Sequence, residues 1–175
     1  MRRSVLACLL LALLTPSESH SQEHGFELTC LVQGEPTDVI NDNSINTPAL
    51  AEYRNGKRTI VVNPQRTEGL PPVVQAFVVA HECAHLIQSP SLPAAFHERI
   101  DPERERTADK IGIRLLRDQL KISLAQAQTV AAAFRNTGGA LPVYLPGPAR
   151  ENWILSCFKT QSMDCSKKNQ SPQSR

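Results

Sequence analysis

Two histidines and a glutamate interrupt the apolar stretch VVAHECAHLIQ, residues 78–88. His81 and His85 are four residues apart, so on a helix both imidazoles project from one face, one turn above the other. Both rings could then bind the same ion, and Glu82 lies one step around the helix, beside that ion. Imidazole nitrogen is a preferred ligand of zinc, so the spacing predicts a site for one zinc ion.

The apolar surroundings support this prediction, because burying unpaired polar groups is costly. The simplest alternative is a pair of core histidines, bonded to backbone or side chains in a structural helical domain without a metal. The H-E-x-x-H spacing weakens that alternative, because it is the arrangement found in zinc hydrolases that use the glutamate as general base.

A catalytic zinc site needs a third protein ligand and keeps its fourth position for water. Glu105 and Asp109 are again four residues apart, within ERERTADKIG. On a helix they share a face with Ala108, Gly112 and Leu116, a composition that does not fit a solvated face. We therefore predict Glu105 as the third zinc ligand. Asp109 is predicted to accept a hydrogen bond from the outer ring nitrogen of a zinc-bound histidine.

Two alternatives concern these carboxylates. Glu103 is the other candidate ligand, but it lies two residues from Glu105, points elsewhere, and has no aspartate four residues beyond it. Glu105 and Asp109 could instead form salt bridges along a charged helix face. The basic residues of that stretch are Arg104, Arg106 and Lys110.

The strands that precede the motif are predicted from turn and pairing signals. Residues 50–63, LAEYRNGKRTIVVN, predict a β-hairpin with Asn55 and Gly56 in a type I′ turn. Residues 22–32 predict a lead-in and a short strand. Residues 33–48 are rich in Asn, Asp, Pro and Thr and predict a loop.

The motif itself lies on a helix that is opened by Pro71 and Pro72 and ends near Gln88. Because its side chains are apolar almost all round, we expect this helix at the centre of the fold. Three more helices are predicted over residues 101–121, 124–135 and 149–158, two of them with clear capping signals. The sequence thus predicts an α+β fold, with a small antiparallel sheet packed on a bundle of three to four helices.

H-E-x-x-H on a buried helix, followed by E-x-x-x-D on the next helix, resembles the gluzincin metallopeptidases. The likeness is closest to the HtpX-like branch, where an alanine commonly precedes the aspartate, as Ala108 does here. The TIVVNP strand before a proline-opened helix is similar to the lead-in of that family. The likeness extends over about residues 50–120, and the motif residues carry most of it. Many HtpX-like enzymes are embedded in membranes, whereas this sequence resembles their smaller exported relatives.

The resemblance implies a zincin-like fold and a zinc-dependent endopeptidase acting on peptide or protein substrates. Its zinc ligands would be His81, His85 and Glu105, with Glu82 as the catalytic base that takes a proton from a zinc-activated water. The alternative is an inactive zinc-binding homologue that binds a protein or peptide through the same groove, and the intact Glu82 argues against it.

A peptidase of this kind also needs a second donor for the developing oxyanion, besides zinc. The candidates are His97, Tyr144, Tyr53 and Arg150, and the family favours a tyrosine or a histidine. The strand RTIVVN, residues 58–63, would hold the substrate by main-chain hydrogen bonds, as the strand edge beside the active helix does in zincins.

Residues 1–21 have the pattern of a secretory signal peptide, with a basic start, a short apolar run and cleavage after Ser21. No segment is long and apolar enough to span a bilayer, so we expect the mature chain to be exported, either periplasmic or secreted. Residues 22–165 form the predicted metallopeptidase domain and residues 166–175 a disordered tail. The net charge of +2 without a basic stripe argues against nucleic acid as a partner. No oligomeric state follows from the sequence.

Four cysteines follow the predicted signal peptide: Cys30, Cys83, Cys157 and Cys165. In an oxidising compartment an even number is typical of two disulfides, and three pairings are open. Cys83 is about 200° around the helix from His81 and therefore faces away from the metal. A bond from Cys83 to Cys157 would tie the central helix to the last helix, and this pairing is our working hypothesis.

Overall fold

The computed structural model describes residues 28–89, 101–136, 145–160 and 164–165. The predicted signal peptide, the predicted tail, His97 and Tyr144 lie outside these ranges. Over the described ranges the fold is α+β, as predicted, with two small sheets and five helices. None of the helices within them combines the length and the apolar character needed to cross a bilayer.

The strands of the described chain form a two-stranded and a three-stranded sheet. In order they are β1 (Leu31–Val32), β2 (Glu35–Pro36), β3 (Asp38–Asn41), β4 (Ala49–Arg54) and β5 (Lys57–Val62). β1 pairs with β2, and the larger sheet has the order β3-β5-β4 with β5 at its centre. The hairpin of β4 and β5 is confirmed, and its turn residues Asn55 and Gly56 have φ values of 53° and 77°, as a type I′ turn requires.

The predicted small antiparallel sheet is only partly right: β4 pairs with β5 antiparallel, but β3 pairs with β5 in parallel. β3 lies in the stretch that was predicted to be a loop. Three of its four residues are exposed, so it lacks the alternation of buried and exposed side chains that identifies a strand in a sequence. Its pairing is set by the free backbone edge of β5, which a sequence pattern does not reveal.

Four of the five helices were predicted from sequence. They are α2 (Pro72–Gln88), α3 (Pro102–Gln119), α4 (Leu124–Ala133) and α5 (Gly147–Lys159), preceded by the short α1 (Pro64–Thr67). The Asp101 side chain caps α3, and Ser123 and Gln126 form the predicted capping box of α4. The sequence predicts only the end of a strand at Pro64, because a proline there ends β5, and a helix of four residues has no apolar periodicity of its own.

Two apolar clusters lie on either side of α2. The larger one packs α2 against α3, α4 and α5 around Phe77, Ile113 and Ile154. The smaller one packs the sheets against α2 and includes Ile60 and Leu86. α2 is therefore the central helix that its composition predicted, and it holds its polar residues at fixed positions between the two clusters.

The described residues contain two disulfides, as expected, but the working hypothesis for their pairing is wrong. The bonds are Cys30–Cys83 and Cys157–Cys165. Cys83 belongs to the cluster on the sheet side of α2, whereas Cys157 belongs to the helical cluster on the other side. The two cysteines that were expected to pair are thus separated by the body of α2.

Candidate metal centre

A close contact between α2 and α3 positions the polar groups of the centre. It lies at Gly112 of α3, where an added Cβ would be only 3.2 Å from the backbone nitrogen of His81 and 3.3 Å from the carbonyl carbon of Ala80. The missing side chain therefore lets the two backbones approach. Residues one and two turns before Gly112 on α3 consequently face the histidines of α2.

The side chains of His81, His85 and Glu105 converge in this contact, and all three are buried. Nε2 of His81 is 3.1 Å from a carboxylate oxygen of Glu105 and 3.2 Å from Nε2 of His85. The other Glu105 oxygen is 3.4 Å from Nε2 of His85. Within the described residues, this is the group of donor atoms that could hold a metal ion.

These separations fit the coordination geometry of zinc. Zinc binds nitrogen and oxygen ligands at about 2.0–2.2 Å in a tetrahedral arrangement, so its ligand atoms lie about 3.3–3.6 Å apart. The separations of 3.1, 3.2 and 3.4 Å, two of which involve different oxygens of Glu105, are close to these ligand–ligand distances. Two imidazoles and one carboxylate also form a common donor set for zinc with a position left for water.

Asp109 orients one of the imidazoles. Its Oδ1 is 3.0 Å from Nδ1 of His81, and both side chains are buried. A hydrogen bond from Nδ1 to this carboxylate leaves Nε2 as the atom that faces Glu105 and His85. The contact is the one expected of a carboxylate that fixes the tautomer of a metal-binding histidine.

Arg150, in the first turn of α5, completes the pairing of Asp109. Its Nε donates to Oδ2 at 2.8 Å and its Nη2 donates to Oδ1 at 2.7 Å. The guanidinium also lies over the ring of Phe134, 4.1 Å from its centroid. Arg150 was considered in the sequence only as an oxyanion donor. Its pairing with a residue 41 positions away has no signal in the sequence, because the packing of α5 on α3 creates it.

The charges of these groups depend on one another. Without a bound metal ion, burial lowers the pKa of His81, but the hydrogen bonds of its ring to Asp109 and Glu105 prevail and raise that pKa to about 10. Burial raises the pKa of Glu105, but contacts with His81 and His85 hold it well below its usual value. The pKa of Asp109 is likewise lowered, because His81 and Arg150 outweigh its burial. Both carboxylates are therefore ionised at neutral pH, which favours a cation beside the imidazoles.

Glu82 is not part of the converging group. It is half-buried on α2 and lines a cleft of about 230 Å³ together with His81. The other lining residues come from the start of β4 and the loop before it, from α2, and from the ends of α4 and α5. They are Thr47, Pro48, Ala49, Phe77, Val78, Phe134 and Arg150. The cleft is thus lined by the carboxylate of Glu82, by the imidazole of His81 and by apolar side chains.

The strand beside the cleft is not the one that was predicted. Residues 58–63 belong mostly to β5, which is paired on both sides and has no free edge. β4 is the edge strand whose first residue lines the cleft. Of the oxyanion candidates within the described residues, Tyr53 lies on β4 and does not line the cleft. Arg150 does line it, but its guanidinium is hydrogen-bonded to Asp109.

The acidic residues of α3 have different surroundings. The side chain of Glu103 is 70% exposed and pairs with Arg106 on the surface. Glu105 and Asp109 are instead buried: both pair with histidines of α2, and Asp109 also pairs with Arg150 of α5. Glu103 thus forms a salt bridge on the exposed face of α3, whereas Glu105 and Asp109 lie on its buried face.

Neither a protein-family model, nor a curated protein, nor a solved structure gives a significant match to this chain.

Proposed function

We propose that this protein is a zinc-dependent endopeptidase with a zincin-like active site. His81, His85 and Glu105 hold the ion, and Glu82 is the general base. The observation that carries the proposal is the position of Glu82, which lines the same cleft as His81 but stays outside the group of metal donors. A carboxylate beside a metal, rather than on it, is what water activation requires.

When bound, zinc would polarise the scissile carbonyl and lower the pKa of a water molecule. Glu82 would act as the general base that takes a proton from the attacking water and gives it to the leaving amine, and its half-buried position on the cleft wall suits that role. Asp109 accepts the hydrogen bond of His81 Nδ1, so Nε2 is the nitrogen of His81 that would hold the ion. Arg150 stabilises the buried charge of Asp109 through two hydrogen bonds.

The cleft suits a peptide in an extended conformation. β4 is an edge of its sheet within the described residues, and its first residue, Ala49, lines the cleft. A substrate backbone can pair with such an edge by main-chain hydrogen bonds. Phe77, Val78 and Phe134 give the cleft an apolar lining against which substrate side chains can pack.

The main alternative is a zinc-binding module that binds a peptide without cleaving it. A purely structural zinc site usually closes its coordination with four protein ligands, whereas three donors converge within the described part of this chain. The two disulfides fit an extracellular or periplasmic protein, and we propose export through the N-terminal signal peptide.

The test is the Glu82→Gln variant, with zinc content and peptide cleavage measured on the same preparation. We expect full zinc binding and a fall in kcat of about 100-fold or more, because removing a general base typically costs that much. Glu103→Gln is the matched control, since Glu103 is an exposed glutamate on α3 outside the centre. It should match the wild type in both measurements.

Each outcome separates the candidate functions. Wild-type protein that binds zinc but cleaves no peptide in a diverse library supports the binding module. Wild-type protein that binds no zinc rejects both zinc functions. Cleavage that survives in Glu82→Gln rejects the assigned base.

A further inference from the structure

The two parts of the candidate active site come from different parts of the fold. His81, His85 and Glu105 lie on α2 and α3, so the metal donors belong entirely to helices. One wall of the cleft, which His81 also lines, is formed by residues 47–49, where the chain enters β4 of the sheet. A complete site therefore requires the sheet to be held in place against α2.

The packing that joins the sheets to α2 is thin. Its cluster has six buried residues, and two of them are the disulfide-bonded Cys30 and Cys83. The helical cluster on the other side of α2 has fourteen buried residues. The disulfide cysteines are thus two of the six buried members of the cluster on the sheet side, whereas the helical side has a larger core of its own.

The disulfide is also the covalent link between α2 and the segment that leads to the cleft wall. Cys30 directly precedes β1, and its carbonyl accepts a hydrogen bond from Thr37, just before β3. β3 then pairs along β5, and the loop after it is held by Asn63, whose Nδ2 donates to the carbonyl of Ile45 at 2.7 Å. Residues 47–49 follow at the end of this loop. The N-terminal strands and the wall are therefore connected to Cys83 through consecutive contacts.

We propose that formation of the Cys30–Cys83 disulfide switches on substrate turnover by fixing the wall of the cleft, whereas the metal centre forms without it. The part of this inference that concerns turnover rests on the proposed peptidase function. The part that concerns the wall and the metal centre does not.

The chemical step is a thiol–disulfide exchange with a disulfide oxidant, such as a protein disulfide of the oxidising compartment. The thiolate of one cysteine attacks a sulfur of the oxidant, which gives a mixed disulfide and releases one oxidant thiol. The second cysteine thiolate then displaces the other oxidant sulfur. Two protein thiols are oxidised to one disulfide, and one oxidant disulfide is reduced to two thiols.

Burial makes this step one-way in the folded protein. Cys30 is 2% exposed and Cys83 is not exposed at all, so reductants have no access to the sulfur atoms once the fold is complete. Formation of the disulfide is therefore an activation step that takes place while the protein folds in an oxidising compartment. A chain that folds before oxidation would carry metal without turning over substrate.

The experiment compares two pairs of substitutions in the otherwise complete mature chain. Cys30→Ala with Cys83→Ala removes the proposed activating bond. Cys157→Ala with Cys165→Ala is the matched control, because it removes the other disulfide, and neither of its cysteines lines the cleft. Zinc affinity is measured by competition with a chelator, cleavage by kcat/KM on a peptide, and local stability by amide hydrogen exchange.

For Cys30→Ala/Cys83→Ala we expect a zinc Kd within about three-fold of wild type, since all donors lie on the helices. We expect kcat/KM to fall about ten- to hundred-fold, because a misplacement of about 1 Å in a positioning group costs that much. Exchange protection should be lost in residues 31–62 and kept in α2 and α3. The control pair should keep protection in residues 31–62, zinc affinity and kcat/KM near wild type.

Three results overturn the inference: unchanged cleavage and protection in the Cys30→Ala/Cys83→Ala protein, loss of zinc binding together with cleavage, or failure of that protein to fold. Wild-type protein refolded with zinc and a phosphine reductant gives a second measurement of protection without substitutions. If wild type binds zinc but cleaves nothing, the peptidase proposal fails, and the exchange pattern alone decides whether the disulfide fixes the wall.

Discussion

Oδ1 of Asp109 lies 3.0 Å from Nδ1 of His81, and both side chains are buried between α2 and α3. One carboxylate thus fixes the orientation of the imidazole whose other nitrogen faces Glu105 and His85. Asp109 is itself held by two hydrogen bonds from Arg150. The centre is therefore supported by three helices, although only two of them carry metal donors.

Substituting Asp109→Asn should weaken zinc binding without removing a metal ligand. The amide keeps the size of the side chain but loses the charge that orients His81 and balances Arg150. We expect the zinc Kd to rise about 10- to 100-fold, as is typical when the outer partner of a metal-binding histidine is changed. Chelator competition measures it, and Asp118→Asn, at an exposed position of α3, is the control. Equal Kd values for the two variants would contradict the assignment of Asp109.

Glu105→Ala should weaken zinc binding more than Asp109→Asn does, because it removes a donor atom rather than the partner of one. Glu103→Ala provides the comparison, since that side chain lies two residues away and is 70% exposed. The zinc stoichiometry and affinity of both variants show whether Glu105 is the third ligand. Full occupancy with wild-type affinity in Glu105→Ala would show that the third ligand is another residue.

Zinc binding at pH 7.5 should release a proton from His81. Its pKa is raised to about 10 without metal, so protonated His81 stabilises the metal-free fold. That stabilisation is fully present below the unfolded-state pKa near 6.5 and is lost as the pH rises toward 10. Zinc needs the neutral imidazole and must displace the proton, whereas Glu105, with a lowered pKa, brings none. Calorimetry in buffers of different ionisation enthalpy measures the release, and binding heats that do not depend on the buffer would contradict it.

Gly147→Ala should destabilise the fold at the junction of α4 and α5. An added Cβ would lie 1.9 Å from the carbonyl oxygen of Arg135, so the first turn of α5 would have to move. We expect the free energy of unfolding to fall by about 1–3 kcal/mol or more, as in other overpacked sites. Urea unfolding measures the change, and Asn152→Ala, on the exposed face of the same helix, should stay within about 0.5 kcal/mol of wild type. A similar unfolding midpoint for both variants would show that the junction adapts.

The helices and the hairpin could be predicted because their signals are local. Ser123 and Gln126 cap α4 within four residues, and Asn55 with Gly56 specifies the turn between β4 and β5. β3 could not be predicted in the same way. It is a short edge strand with mostly exposed side chains, and its place depends on the backbone of a strand that follows it in the chain.

The disulfide pairing also could not be predicted from local signals in the sequence. The helical period correctly places Cys83 on the face of α2 away from His81. It does not say which element covers that face, and the structure places β1 and Cys30 there rather than α5. Cys157 instead pairs with Cys165, only eight residues further along the chain.

By itself, the sequence determined which groups could share a metal ion, because four-residue spacings on α2 and α3 place His81 with His85 and Glu105 with Asp109. The sequence also led us to expect that Glu105 meets the two histidines. Only the tertiary structure decided how close these groups lie, since their separation depends on the approach of the helices at Gly112. It also decided that Arg150 pairs with Asp109 and that β4, rather than β5, borders the cleft. Periodicity fixes the direction of a side chain from its own helix, whereas contacts between distant segments depend on how the whole core packs.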